Sequence, residues 1–140
     1  MKKRVLLIGG DQKAQALATS LGAAGYKITI INKDHATCRV LSELVDGTVI
    51  HGDGARPYVL DDAHAHDADL AIALTRSDED NLVILELCKK MFRVQRTVAL
   101  VNDPQLIDFF RTMGVDSVLS PVLTITRLIE AEALAENRRG

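Results

Sequence analysis

The chain has 140 residues, of which 47% are hydrophobic and 26% are charged, and its formal net charge is −2. This length suits one domain, residues 1–140, with its own core, and the composition excludes a disordered or membrane-embedded chain. Because charges of both signs are interspersed and no apolar run approaches the roughly 18 residues that cross a bilayer, we expect no nucleic-acid partner and no direct membrane insertion.

The first predicted unit is a strand, a helix and a second strand, over about 30 residues. The run from Val5 to Ile8 is continuously apolar, which predicts a central parallel strand covered on both faces. This strand ends at Gly9 and Gly10. A helix with an apolar face at Ala14, Leu17, Ala18 and Leu21 follows, Gly25 ends it, and residues 28–31 form the second strand.

Strands and helices alternate through the rest of the chain. Further strands are predicted at 48–51, 69–74, 97–101 and 117–119, and further helices begin near Asp34, Pro57, Ser77 and Pro104 and span 122–137. Core positions are predicted at Cys38, Leu41, Leu44 and Val45 and at Leu106, Phe109, Phe110 and Met113. The pattern predicts an α/β fold, a Rossmann-like doubly wound parallel sheet of six strands in the order 3-2-1-4-5-6.

A ligand crevice is predicted at the carboxyl ends of the first and fourth strands, where the strand order reverses. The residues expected there are Gly9, Gly10, Asp11, Gln12, Lys13, Asn32, Lys33, Asp53, Gly54, Thr75 and Arg76. The turn after the first strand matches the dinucleotide fingerprint G-x-G-x-x-G only at Gly9, with alanine at the last position. An Asp11 carboxylate about 4 Å from a phosphate would repel it by roughly 4 kcal/mol at an effective dielectric near 20, unless Lys13 or a cation offsets it.

Other reactive side chains receive ordinary interpretations. His64 and His66 lie near Asp61, Asp62 and Asp67, but no distant ligand converges with them by sequence, so we expect solvated side chains and no metal. Cys38 and Cys88 lie in helical patterns and are expected to be buried thiols in a reducing compartment. Since the predicted crevice has no combination of side chains placed for proton transfer, no catalytic residue is assigned.

Several short motifs together resemble one family. They are Leu7-Ile8-Gly9, Thr29 to Asp34, His51 to Gly54, Ala68-Asp69 with Leu74-Thr75, Asp78 to Asn81, Val101 to Pro104, and Met113 to Asp116 with Leu119 to Pro121. In this order they resemble the nucleotide-binding N-terminal domain of Trk and Ktr potassium-uptake regulators, the RCK or KTN domain. The resemblance implies a cytosolic, ring-forming domain that binds NAD(H), ATP, ADP or AMP and controls a membrane-embedded potassium transporter or channel.

The departures from this family fall on the predicted crevice. The family has glycine at the position of Asp11, often a phosphate-facing arginine at Gln12, an acid for the adenosine ribose at Asn32, and an arginine at Leu100. We therefore expect weak or altered nucleotide binding. Asn32 beside Lys33 is also compatible with a phosphorylated dinucleotide.

The resemblance leaves assembly and function open between alternatives. Helix 122–137 is expected either to cross over to a second subunit of a homodimer or higher ring, or to pack within its own chain. Family members usually continue into a C-terminal ligand-binding domain, so the chain is either a fragment or a subunit without that module. The function expected first is cytoplasmic regulation, peripheral to the membrane through a transporter; the alternatives are an NAD(P)-dependent oxidoreductase and a ligand-free structural subunit of a heteromeric gating ring.

Overall fold

The computed structural model describes residues 3–139, with side-chain environments for residues 3–135. The strands are β1 (Arg4–Ile8), β2 (Lys27–Asn32), β3 (Thr48–His51), β4 (Leu70–Ala73), β5 (Arg96–Leu100) and β6 (Ser117–Leu119). The helices are α1 (Gln12–Ala23), α2 (His35–Leu44), α3 (Pro57–Asp62), α4 (Asp78–Lys90), α5 (Ile107–Thr112) and α6 (Pro121–Arg139). Short 3₁₀ turns occupy Ala65–Asp67 and Pro104–Leu106. No helix in this part of the chain is both long and apolar enough to cross a membrane.

The six strands form one parallel sheet in the order β3-β2-β1-β4-β5-β6, which confirms the predicted topology. The centre of the sheet is β1, where Leu7 lies between Ile30 of β2 and Ile72 of β4. The order reverses between β1 and β4, because the chain moves outward in one direction through β2 and β3 and then returns to the opposite side of β1. This reversal leaves a crevice at the carboxyl ends of the two central strands.

Alternating residues of the central strands fill two core layers. Val5 and Leu7 face the layer that contains apolar residues of α1 and α2, and Leu6 and Ile8 face the layer of α3, α4 and α5. All four are almost completely buried, and burial of each such side chain stabilises the fold by roughly 1.5–3 kcal/mol. The continuous apolar run therefore reflects a strand with two covered faces, as predicted.

Two predicted core positions are wrong. Leu44 is 60% exposed and Phe109 is 50% exposed. Leu44 is the last residue of α2, and the helix predicted after Pro104 is divided into the 3₁₀ turn and the six residues of α5, which changes the face that Phe109 presents. Cys38 and Cys88 are buried and free, as predicted, and burial raises the pKa of the Cys88 thiol to about 12.

Asp116 ties the edge strand β6 to its neighbours. Its carboxylate accepts hydrogen bonds from Lys89 Nζ at 3.0 Å and from the backbone N–H of Thr97 at 2.9 Å. Partial desolvation raises the pKa of Asp116, but the hydrogen bonds from Lys89 and Thr97 outweigh it, so the pKa lies below its usual value. These hydrogen bonds therefore stabilise the folded chain more when the Asp116 carboxylate is charged than when it is protonated.

We expect Asp116→Asn to lower the free energy of unfolding at pH 7 by about 1 kcal/mol, a modest loss because Lys89 and Asp116 are both more than a third exposed. Since the folded-state pKa is lowered, this contribution is present above the unfolded value of about 3.9 and is lost as the pH falls through the folded value. Urea unfolding of both proteins at pH 7, 5 and 3 measures the difference. Asp108→Asn, at an exposed position, is the control; a difference that persists undiminished at pH 3 would contradict the assignment.

Candidate functional site

The turn after β1 brings the two central strands into close contact. Gly9 and Gly10 have φ values of +82° and +92°, which L side chains rarely adopt. A Cβ atom on Gly9 would lie 2.5 Å from Cγ2 of Thr75, at the end of β4. Glycine is therefore required at position 9 both by the backbone conformation and by the approach of Thr75.

A cavity of about 490 Å³ opens at the carboxyl ends of β1, β2, β3 and β4. Its volume is within the range of small-molecule sites, about 300–1,000 Å³. The predicted residues that line it are Gly9, Gly10, Asp11, Lys13, Asn32, Lys33, Asp53, Gly54, Thr75 and Arg76. Gln12 is the exception, since it lies exposed at the start of α1 outside the cavity wall.

Asp11 precedes the first turn of α1 and faces across the cavity. Its carboxylate lies 3.5 Å from Nη2 of Arg76, whose side chain is 95% exposed, and it makes no capping hydrogen bond of normal geometry. Desolvation raises the pKa of Asp11, but the N–H groups of Gln12 and Lys13 and the charges of Lys13 and Arg76 outweigh it and leave the pKa below its usual value. Asp11 is therefore charged at neutral pH.

The position of Asp11 changes what the start of α1 offers to an anion. The free N–H groups and the positive end of a helix dipole ordinarily attract phosphate. Here the Asp11 carboxylate is close enough to the N–H groups of Gln12 and Lys13 for them to lower its pKa, so a negative charge already lies beside them. A phosphate can still meet Lys13 and Arg76, but it must share them with this carboxylate.

Asn32 closes the cavity between β2 and the glycine turn. Its Nδ2 donates to the carbonyl oxygen of Gly10 at 2.9 Å, and its Oδ1 accepts from the N–H of Asp34 at 3.0 Å. The side chain is buried. An aspartate in the same orientation would place a carboxylate oxygen against the Gly10 carbonyl and could not donate to it, so this hydrogen bond depends on the amide.

The ends of β2 and β3 form a charged rim. Oδ2 of Asp53 lies 4.0 Å from Nζ of Lys33 and 3.8 Å from Nε of Arg56. Oδ1 of Asp53 accepts from the N–H of Ala55 at 2.9 Å. Gly54 packs directly against Ile8, and a Cβ atom there would collide with Cγ2 of that side chain.

A buried asparagine that the sequence analysis did not place in the site supports its opposite wall. Nδ2 of Asn81 donates to the carbonyl oxygens of Thr75 at 3.1 Å and Leu100 at 2.9 Å, and Oδ1 accepts from the N–H of Thr75 at 3.0 Å and from its hydroxyl at 2.6 Å. Asn81 thus joins the ends of β4 and β5. The sequence alone does not place Asn81 in the site, because a polar residue near the start of a helix is ordinarily expected to be exposed, whereas this one is buried.

Asp78 also has a structural role that sequence reasoning missed. Its carboxylate accepts from the N–H of Asn102 at 2.7 Å and from the N–H of Asp103 at 2.9 Å. Nδ2 of Asn102 donates to the carbonyl oxygen of Arg76 at 3.2 Å. The loop that carries Arg76 is therefore bound to the loop after β5, and Asn102 itself lines the cavity.

His64, His66 and Asp67 lie away from the cavity wall. Their ligand atoms are within 4.8 Å of one another, and all three residues are exposed. This is the histidine cluster that the sequence analysis interpreted as solvated.

A parallel sheet with a glycine turn after its first strand, and a cavity where the strand order reverses, defines a Rossmann-like domain. The TrkA-N domain family matches residues 5–121. The chain belongs to this family, which confirms the resemblance to Trk-type regulators.

Curated relatives are Trk potassium-uptake proteins. The chain is 29% identical over 126 residues to the Trk system potassium uptake protein TrkA homolog of Methanothermobacter thermautotrophicus, covering 90% of this chain and 58% of the relative. It is 31% identical over 133 residues to TrkA of Azorhizobium caulinodans, covering 91% of this chain and 29% of that protein. The chain thus spans between about a quarter and three-fifths of these relatives.

Solved structures share the fold. The Shewanella denitrificans Kef C-terminal domain in its AMP-bound form has a TM-score of 0.81 at 26% identity, covering 95% of this chain and 80% of that one. The TrkA-N domain of the inner membrane protein ybaL from Escherichia coli has a TM-score of 0.84 at 16% identity, covering 94% and 96%. The GsuK channel bound to NAD has a TM-score of 0.73 at 21% identity, covering 85% and 21%.

We expect Asn81→Ala to lower the free energy of unfolding by about 2–4 kcal/mol, because it leaves buried backbone groups of Thr75 and Leu100 without partners. Thermal and urea unfolding measure the loss. The control is Asn102→Ala, at an exposed position, for which we expect at most about 1 kcal/mol. Equal effects for the two variants would show that Asn81 does not hold the wall.

Proposed function

We propose that this chain is the nucleotide-binding regulatory domain of a potassium-uptake system. The observation that carries the proposal is the cavity at the strand reversal, with the Gly9 and Gly10 turn on one wall and Thr75 and Arg76 on the other. Membership of the TrkA-N family and the AMP-bound Kef domain of similar fold support an adenine nucleotide as its ligand. The controlled partner is a membrane-embedded transporter or channel for potassium or another monovalent cation, and the domain is cytoplasmic and peripheral to the membrane through that partner.

The ligand is NAD(H), ATP, ADP or AMP, bound more weakly than in a site with the full glycine motif. The cavity walls supply Lys13 and Arg76 for phosphate and a buried apolar floor that includes Ile8 and Leu74. Against this, Asp11 holds a negative charge beside the start of α1. A ligand with two or more phosphates at this end suffers more from that charge than a monophosphate does.

The regulatory mechanism requires no catalytic group. The two cavity walls come from opposite halves of the sheet, and the exposed pair between Asp11 and Arg76 spans them at 3.5 Å. A phosphate attracts Arg76 and repels Asp11, so ligand binding changes the separation of the two loops. Coupling to a partner then equals the difference between the ligand's affinities for the two arrangements.

Assembly into a homodimer or a higher ring uses α6. Its residues Val122, Ile125, Leu128 and Ile129 are 50–63% exposed and fall within about 120° of the helix circumference, at 100° per residue. A contiguous apolar stripe on a protruding helix is typical of a surface that a second subunit covers. The alternative expected from the sequence, packing of these residues within their own chain, finds no support in their exposure.

We expect Asp11→Asn to tighten the binding of ADP and NAD about tenfold, since it removes a negative charge that Lys13 and Arg76 offset only in part. Isothermal titration of wild type and variant with NAD, NADH, ATP, ADP and AMP measures this. Adenosine, which has no phosphate, should bind both proteins equally. Asp62→Asn makes the same change of net charge at an exposed position of α3.

Two results would contradict this account of the site. If no adenine nucleotide binds either protein at millimolar concentration, the regulatory proposal fails, and the ligand-free structural subunit is favoured. If Asp62→Asn tightens binding as much as Asp11→Asn, the effect arises from net charge and not from the position of Asp11.

We expect Ile125→Asp to dissociate the assembly without unfolding the domain, because a carboxylate would be buried in an apolar interface. Size-exclusion chromatography with light scattering gives the mass, and circular dichroism checks the fold. Thr124→Asp introduces the same charge one residue away, outside the stripe, and should leave the mass unchanged. A monomeric wild type, or a variant of unchanged mass, would rule out this use of α6.

A further inference from the structure

The turn between α3 and β4 brings three metal-ligating side chains together at the surface. The ligand atoms of His64, His66 and Asp67 lie within 4.8 Å of one another, and all three residues are exposed. The sequence predicts no metal here, because no distant ligand converges on these residues. The structure shows that the turn supplies three ligand atoms by itself.

The backbone of this turn is held in place by the rest of the protein. His64 has φ +55° and ψ +46°, and its carbonyl oxygen accepts from the N–H of Asp67 at 2.9 Å, which closes the turn. Ala63 and Ala65, on either side of His64, are buried in the core. The positions from which the two imidazoles and the carboxylate extend are therefore fixed.

The side chains have the freedom to close around an ion. Nε2 of His66 lies 3.6 Å from Oδ1 of Asp67, and these side chains are 55% and 51% exposed. The ring centroids of His64 and His66 are 5.9 Å apart. Zinc bonds of about 2.0–2.2 Å place neighbouring ligand atoms roughly 3.3–3.6 Å apart in a tetrahedral site. Rotation of the exposed side chains reaches this spacing without movement of the backbone.

The types of ligand determine the class of metal. Two imidazoles and one carboxylate suit Zn²⁺ and the neighbouring ions Co²⁺, Ni²⁺ and Cu²⁺, whereas Ca²⁺ and Mg²⁺ prefer ligand sets made of oxygen atoms. Three protein ligands leave at least one coordination position for water or for a ligand from another molecule.

The other pair of histidines in the chain lacks this arrangement. The rings of His35 and His51 are also close, with centroids 5.2 Å apart, but Nε2 of His51 lies at hydrogen-bond distance, 2.9 Å, from the carbonyl oxygen of Lys33. The nearby carboxylate of Asp34 accepts from the N–H and the hydroxyl of Thr37. Among the residues that the structure describes, only the turn after α3 brings three such ligand atoms together.

We propose that His64, His66 and Asp67 form a binding site for a divalent transition-metal ion, of which Zn²⁺ is the first candidate. The turn immediately precedes β4 and so lies at the amino ends of the strands, whereas the nucleotide cavity opens at their carboxyl ends. The two sites are separate, and this inference does not depend on the proposed function.

Titration calorimetry with ZnCl₂, on the chain without a histidine tag, tests the site. One Zn²⁺ should bind per chain, and Ca²⁺ or Mg²⁺ at the same concentration should not displace it. His64→Gln, His66→Gln and Asp67→Asn should each weaken binding at least about tenfold, because each removes one of three ligands. Circular dichroism of the zinc-free variants should match the wild type, since all three residues are exposed.

His35→Gln is the matched control, because it removes an exposed histidine from the other pair. It should bind Zn²⁺ as tightly as the wild type. Proton–nitrogen correlation spectra of the imidazole rings locate the ion independently of any variant. The signals of His64 and His66 should shift when Zn²⁺ is added, and those of His35 and His51 should not.

Three results would overturn the inference. The first is a wild type that binds no Zn²⁺ at submillimolar concentration, and the second is binding that persists undiminished in the His64, His66 and Asp67 variants. The third is equal weakening by His35→Gln or displacement by Ca²⁺, either of which would show general attraction of cations to the surface. None of these results bears on the nucleotide cavity, which the titrations with adenine nucleotides test separately.

Discussion

The contact between Gly9 and Thr75 is the constraint on which the rest of this structure depends. It joins the ends of the two strands between which the sheet reverses its order, and it leaves no space for a side chain at position 9. Thr75 is fixed in turn by its hydrogen bonds to the buried side chain of Asn81. A larger residue at position 9 would separate β1 from β4 at the point where the cavity begins. The cavity therefore keeps its shape there because position 9 is glycine and because Asn81 holds Thr75 in place.

The cavity departs from the usual charge pattern of a dinucleotide site. An acid, Asp11, lies at the phosphate end, where backbone N–H groups are normally free, and Asn32 takes the place of the acid that normally ends the second strand and receives the ribose. The two residues responsible, Asp11 and Asn32, both make contacts within the protein. Asn32 supports the Gly10 turn with a hydrogen bond that a carboxylate could not make, and Asp11 pairs across the cavity with Arg76. The site is thus changed in its ligand chemistry while its architecture is retained.

The sheet order and most of the cavity wall could be predicted from the sequence. Apolar runs and glycine turns mark where each strand ends, and in a parallel sheet of this order the carboxyl ends of the central strands lie at the same cavity. The failures have physical causes. Leu44 and Phe109 lie at apolar positions of short helices, and periodicity alone does not tell a core face from a surface. The burial of Asn81 could not be predicted, because an asparagine in a helix is usually exposed and nothing in the neighbouring sequence indicates that this one is buried. The pairing of Asp11 with Arg76 joins residues 65 positions apart, beyond any local pattern.

The two kinds of contact around the cavity differ in how easily they exchange partners. The side chains of Asn32 and Asn81 are buried, so breaking their hydrogen bonds would leave polar groups with neither a protein partner nor water to bind. The pair between Asp11 and Arg76 is exposed and contributes little to stability, so Arg76 can leave Asp11 at little cost. The loop of Arg76 is bound to the loop after β5 through Asn102 and Asp78. The loop of Arg76 is therefore linked to the segment that leads into α5, whereas the glycine turn is held by the buried side chain of Asn32.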